Sequence, residues 1–281
     1  MIAKVNSCGL MGIAGQLITT EVDIAGGLPA YDTVGLPDKA VSESRERVRA
    51  ALRNSGFQVP PCRITVNLAP ADLKKEGTVY DLPIALGILA CASFVSHDAL
   101  DSMMFVGELA LDGTLRPVSG VLSMAMTACD NGLKCIVVPQ QNAIEASYVK
   151  GINILGVSCL KELCDMLNKR TPMDYTPHSQ WNANDTTAGE AMSLIGGQYA
   201  AKRAAEIAAA GGHNMLLIGP PGGGKTMLAR ALPSILPALS FEEAIEITRI
   251  HSAAGKNNGG ILRQRPFCSP HHSASMPAIV G

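Results

Sequence analysis

Apolar positions in the first half of the chain change period several times. Gln16 to Ile24 (QLITTEVDI) and Cys62 to Leu68 (CRITVNL) are short, β-branched runs with strand composition. Between them Val41, Val48 and Leu52 recur near helical spacing within Asp38 to Arg53, after a Pro37 suited to a first helical position. The apolar run from Ile84 to Val95 reads as a buried helix, because spanning a bilayer takes about 20 residues. Met103 to Gly107, Cys135 to Pro139 and Asn153 to Val157 predict further strands, with helices over Ser119 to Asn131 and Leu160 to Leu167. Helices and strands mix in one unit, so the expected fold class is α/β with a mixed sheet.

The pattern stops at Asn168. Residues 168–190 (NKRTPMDYTPHSQWNANDTTAGE) carry two prolines, many Asn, Thr and Asp side chains and almost no aliphatics, the composition of a linker. The expected domains are therefore residues 1–167 and 191–281. In the second, Gln198 to Ala210 is rich in strong helix formers and is stopped by Gly211-Gly212. A short strand is expected at Asn214 to Ile218, running into a glycine-rich loop, after which Met227 to Leu232 resumes a helical pattern. A last helix, FEEAIEITRI, starts behind Ser240, with Glu243 placed three residues on to close a capping box.

Charge and composition narrow the function. The 281 residues suit about two domains. Lys and Arg total 23 against 24 Asp and Glu, a net charge of −1, which excludes a globally basic nucleic-acid coat and leaves any polyanion site local. Charged residues are 17% of the chain against 47% hydrophobic, arguing for well-buried elements or a large interface. None of the eight cysteines forms a CxxC pair, so they read as reduced core thiols. The N-terminus lacks the charged-then-apolar layout of a signal peptide, which argues for a cytoplasmic protein without membrane association. Arg45, Arg49 and Arg53 form one stripe of a helix, but Glu43 and Glu46 interleave and Glu43 stands four residues before Arg47, so the stripe reads as a solvated charged face before it reads as a DNA contact. His271-His272 and Cys268 lack the spacing of a zinc site. Trp181, in the linker, is expected to anchor it onto a domain.

Gly219-Pro220-Pro221-Gly222-Gly223-Gly224-Lys225-Thr226 satisfies GxxxxGK[ST] at every position. Glycines let backbone N–H groups approach phosphate oxygens, because no Cβ blocks the way and positive φ costs little. Lys225 is placed to neutralise β- and γ-phosphate oxygens, and the Thr226 hydroxyl to ligand a Mg²⁺ bridging them. Met227 opens the following helix. The expected ligands are ATP and Mg²⁺. No strand ending in paired acids follows Thr226, and Glu242 and Glu243 read as helix-capping residues rather than catalytic ones.

These residues belong to longer stretches that resemble the magnesium chelatase-like AAA+ ATPases of bacteria, the ComM/YifB family. The stretches are Gly27 to Phe57 (GLPAYDTVGLPDKAVSESRERVRAALRNSGF), Ile64 to Gly87 (ITVNLAPADLKKEGTVYDLPIALG), Gly107 to Leu122 (GELALDGTLRPVSGVL), Gly196 to Pro237 and Arg265 to Ser275 (RPFCSPHHSAS). Cys268 departs from the family's arginine. The resemblance implies an N-terminal domain similar to the protease domain of Lon and to domain 2 of ribosomal protein S5, followed by the start of a P-loop AAA+ domain. It puts Val79 and Leu122 where the serine and lysine of the Lon dyad would sit, so no peptidase activity is expected. It implies an adenine pocket lined by the backbone around Ile195, Gly197 and Gln198, a homo-oligomeric, hexameric ring, and DNA remodelling of the branch-migration type. The alternatives are a metal-inserting chelatase motor and a non-catalytic nucleotide-binding or oligomerisation module. The chain stops 55 residues after Thr226, before the family's Walker B acids and arginine finger, so a fragment that binds ATP without efficient hydrolysis is expected.

Overall fold

The computed structural model describes residues 2–182, 192–257, 259–271 and 273–277. It divides into two compact units, Met1–Gln180 with Ile247–Ile261, and Trp181–Glu246 with Leu262–Gly281.

The first unit is built on β1 (Ile2–Met11) and β2 (Ala14–Ala25), an antiparallel hairpin turned at Gly12, whose φ of 61° suits glycine. β1 was not predicted, because Asn6 and Ser7 interrupt its apolar alternation; Ser7 and the cross-strand Thr20 are nevertheless fully buried. β3 (Ala30–Val34), also unpredicted, pairs in parallel with β4 (Arg63–Ala69), which lies antiparallel to β2. On the other side of β1 come β5 (Met103–Phe105), β8 (Cys135–Pro139) and β9 (Asn153–Val157), all parallel. The seven-stranded order is β3-β4-β2-β1-β5-β8-β9, with β6 (Glu108–Leu109) and β7 (Leu115–Arg116) as a separate small ribbon. The mixed α/β sheet agrees with the expectation from sequence.

Helix α1 (Lys39–Asn54) starts one position later than expected. Asp38 is its cap, accepting from Val41 N at 2.7 Å, and Pro37 lies outside the helix, bridged to Lys75. α2 (Asp81–Cys91) is buried from Asp81 to Ala90 and ends earlier than the apolar run suggests. Ser93 adopts φ 62°, and Ser93 N and Phe94 N donate to Ala90 O and Leu89 O, closing a Schellman motif. Gly87 lets α2 approach the sheet: a Cβ there would lie 2.4 Å from Val22 Cγ2. α3 (Val121–Asp130) meets β1 and β2 through Cys8, Leu10 and Gly15, which alternation places on the sheet face opposite Val5 and Val22. α4 (Ala143–Ala146) and α5 (Leu160–Leu167) complete the unit. Only Cys8, Cys135 and Cys164 are core thiols; Cys268 is exposed and the rest are half-buried, all free.

The predicted Glu43–Arg47 pair does not form. Glu43 meets Lys39 at 3.7 Å, and Arg47 instead grips Asp81 with two hydrogen bonds, Nε to Oδ2 at 2.7 Å and Nη2 to Oδ1 at 3.0 Å. The pair ties α1 to the start of α2, out of reach of any local spacing rule.

The expected linker is not uniform. Its first part is held in the first unit, where Thr176 bridges Ile154, and Ser147 O accepts from Ser179 N and meets His178 Nδ1. Residues 183–190 lie outside the described residues. Residues 247–261, placed by sequence in the second domain, pack in the first unit. Trp181 belongs to the second, its ring 6.1 Å from that of Phe241 and under the Arg263 guanidinium at 6.0 Å. No helix among the described residues is long and apolar enough to cross a membrane.

Candidate functional site

The second unit folds around a small apolar cluster of Met192, Ile195, Ala205, Leu228 and Ala231. α6 (Tyr199–Gly211) supplies Ala205 and ends at Gly212, in the left-handed region at φ 64°. α7 (Lys225–Ala231) supplies Leu228 and Ala231, and α8 (Phe241–Ala253) follows a 3₁₀ turn over Leu232–Ile235. The segment Asn214 to Ile218 is not a strand, contrary to expectation. Met215 and Leu217 pack on the cluster while Leu216 and Ile218 are more than four-fifths exposed. The alternation is that of a strand, but an apolar run becomes one only when another segment takes its hydrogen bonds.

From Gly219 the chain turns into α7. Gly222 and Gly224 hold φ of 80° and 79°, which glycine alone adopts without strain, and Gly224 is the cap residue of α7 with no side chain of its own to offer. A Cβ at Gly219, Gly222 or Gly224 would meet nothing within 4 Å, so the loop surrounds open space on the side the glycines keep clear. Pro220, Pro221 and Gly223 complete the turn, closed by Gly223 N donating to Pro220 O at 3.4 Å. Lys225 folds back over the loop, donating from Nζ to Gly219 O at 2.8 Å and Pro220 O at 2.6 Å. These are contacts that a charged phosphate oxygen would outcompete. Thr226 and Met227 are exposed. Backbone N–H groups, one ammonium and one hydroxyl lie within this one short segment, a donor set of the kind a nucleotide phosphate chain and its Mg²⁺ would take.

Ile195 is buried beside Leu228 and Ala231, so the segment expected to reach the base and the helix behind the phosphate loop share one apolar cluster. Gly197 and Gln198 both take left-handed φ, 64° and 52°, where the chain enters α6. Lys202 Nζ donates to Ile195 O and fixes that entry, a contact seven residues apart that no sequence motif announces.

Glu243 forms the capping box read from the spacing: Ser240 N donates to its Oε2 at 2.9 Å, and Glu243 N to Ser240 Oγ at 3.2 Å. Arg265 adds a two-pronged contact to the same carboxylate at 3.1 Å, and these donors hold Glu243 below the usual carboxylate range. Glu242 accepts from Ser240 Oγ at 2.9 Å. Both acids are engaged in starting a helix. His271 Nδ1 lies 2.7 Å from Ser273 Oγ, His272 lies outside the described residues, and no group of metal-ligating side chains occurs among those described.

In the first unit Val79 and Leu122 are buried and carry no ionisable group. The neighbouring hydroxyl, Ser123 Oγ, donates to Ile13 O at 2.7 Å and accepts from Arg249 Nε at 3.1 Å. Neither of these partners, a backbone carbonyl and an arginine, is a base that could take its proton.

Comparison with known proteins fits this arrangement. Residues 20–142 match the family described as subunit ChlI of Mg-chelatase, and residues 191–281 match magnesium chelatase, subunit ChlI. The chain is 45% identical over 285 residues to competence protein ComM of Haemophilus influenzae, covering all of this chain and 56% of that protein, and 45% identical over 281 residues to the uncharacterized protein YifB of Escherichia coli, covering 55% of it. The chain belongs to the magnesium chelatase-like ComM/YifB family. It spans about half the length of these curated relatives. A weaker likeness, 23% identity over 181 residues, links 58% of the chain to Lon protease 2 of Bacillus subtilis and accords with a Lon-like α/β first unit. As a ComM-like AAA+ family member, the chain combines that unit with the glycine-rich loop of the second unit.

Proposed function

We propose that the chain binds ATP with Mg²⁺ through Gly219 to Thr226, and that it serves an oligomeric AAA+ motor that remodels DNA. The observation that carries the nucleotide reading is the loop itself: an unbroken GxxxxGK[ST] run, left-handed glycines at 222 and 224, open space at the glycine faces, and a lysine held by two loop carbonyls. Backbone N–H groups and Lys225 would hold the phosphates and Thr226 the metal. Bound Mg²⁺ would neutralise charge on the β- and γ-oxygens. Ile195, Gly197 and Gln198 would sit toward the base. DNA as the partner is what the resemblance to the ComM/YifB family implies, one relative of which is named a competence protein. The family descriptions name Mg-chelatase, which supports metal insertion as a second reading.

Lys225→Ala should weaken Mg-ATP binding by about 1.5 to 3 kcal/mol, the worth of a charge-assisted phosphate contact, in calorimetry on a variant whose circular dichroism is unchanged. Unaltered affinity would refute the assignment. Phosphate release stimulated by DNA in the oligomeric protein favours the remodelling motor, and indifference to DNA favours the chelatase reading.

A further inference from the structure

Beside α1 the first unit has a groove of about 630 Å³ lined along one side by Arg45, Arg49 and Arg53. Read from sequence, that stripe was neutralised by interleaved acids. The structure redistributes them. Glu43 turns to Lys39 and Arg47 to Asp81. The acid left on the groove wall, Glu46, is engaged by Arg45 at 2.9 Å. Arg49 and Arg53 are exposed and form no ion pair among the described residues. The rest of the lining is largely apolar and includes the half-buried rings of Tyr31 and Phe57.

We infer that this groove is a binding site for single-stranded nucleic acid, with Arg49 and Arg53 on successive phosphates and the apolar lining against the bases. At a rise of about 1.5 Å per residue Arg49 and Arg53 stand about 6 Å apart along α1, a spacing suited to successive phosphates of a strand. Unpaired guanidiniums and half-buried aromatic rings lining one groove are what a strand requires, since phosphates seek charge and base faces seek stacking. An acidic peptide would use the arginines but leave the apolar lining idle. The site extends the DNA-linked reading above, on which its biological sense rests, and shares no residue with the phosphate loop.

The test is fluorescence anisotropy of a labelled oligothymidylate over a salt series, using the 281-residue chain. Arg49→Ala with Arg53→Ala should lower the slope of log affinity against log salt by about 1.4, two contacts at about 0.7 each for single strands, with no shift in thermal midpoint. Arg49→Lys with Arg53→Lys should retain the slope. Lys225→Ala should retain oligonucleotide binding while losing ATP, so failure of the nucleotide reading leaves this result standing. The inference is overturned by an unchanged slope in the double alanine variant, by loss of binding in Lys225→Ala, or by polyglutamate competing as well as unlabelled oligonucleotide.

Discussion

Replacing Arg47 with alanine is expected to cost about 3 to 5 kcal/mol of folding stability at pH 7, because it strands a carboxylate in the interior. Asp81 is 1% exposed and its partner 20%. Among the described residues its oxygens receive, beyond Arg47, only Leu109 N, at 3.3 Å, and Arg47 also donates from Nη2 to Ala40 O at 2.9 Å. Truncation therefore removes two short charge-assisted bonds and leaves the negative charge with one long one. Asp81→Asn should cost less than half as much, since the guanidinium it frees lies near water and keeps Ala40 O. Adding Asp81→Asn to Arg47→Ala should recover much of the loss, the coupling expected of groups in direct contact.

The same pair makes stability depend on pH in a stated direction. Burial pushes the Asp81 carboxyl up to about 6, although Arg47 and Leu109 N pull it down. A carboxyl whose folded pKa exceeds its unfolded one binds more protons in the folded state, so wild-type stability falls as pH rises from about 4 to 6. Without Arg47 that window extends upward toward neutrality. The deficit of Arg47→Ala should thus be largest at pH 7 and shrink by pH 4.5, where Asp81 is mostly protonated with or without its partner. Urea unfolding followed by circular dichroism at both values decides it. A loss under about 1 kcal/mol at pH 7, or one equal at both, would remove the pair from the forces that hold α1 on α2.

Elements whose signal is contiguous were legible in the sequence, and those that depend on distant partners were not. β8, β9 and α5 lie where their apolar runs predict, and the glycine-rich run from Gly219 is a contiguous motif in which Gly222 and Gly224 take left-handed angles. β1 escaped notice because Asn6 and Ser7 interrupt its apolar alternation, although Ser7 is fully buried. The Arg47–Asp81 pair spans 34 residues and competes with a local Glu43 that i, i+4 counting favours. Asn214 to Ile218 was read as a strand on composition, yet pairing is a property of two segments. Residues 247–261 were assigned to the second domain because they follow the phosphate loop in sequence, whereas Arg249 and Ser252 find their hydrogen-bond partners at Ser123, Ile13 and Glu145 in the first unit.

That last contact carries the second large effect. α3 begins at Gly120, whose φ of 79° and missing side chain leave its first N–H groups without a local cap. Glu145 and Ser252 cap them from a distance: Leu122 N donates to Glu145 Oε1 at 3.1 Å, Gly120 N to Ser252 Oγ at 2.9 Å, and Ser252 Oγ in turn donates to Glu145 at 2.5 Å. The carboxylate is 3% exposed, so Glu145→Ala would leave Leu122 N–H and the Ser252 hydroxyl buried and unanswered, a loss of about 2 to 4 kcal/mol. Glu145→Gln keeps a carbonyl acceptor in the same place and should stay within about 1 kcal/mol of wild type. Burial raises the Glu145 carboxyl above its ordinary value, so wild-type stability declines as pH rises through the interval between the two, and that contribution is missing in the glutamine variant. Glutamine should therefore compare most favourably with wild type at neutral pH and lose ground on acidification. Alanine and glutamine variants of equal stability at pH 7 would mean that the end of α3 is satisfied without Glu145, and that the docking of residues 247–261 does not depend on this carboxylate.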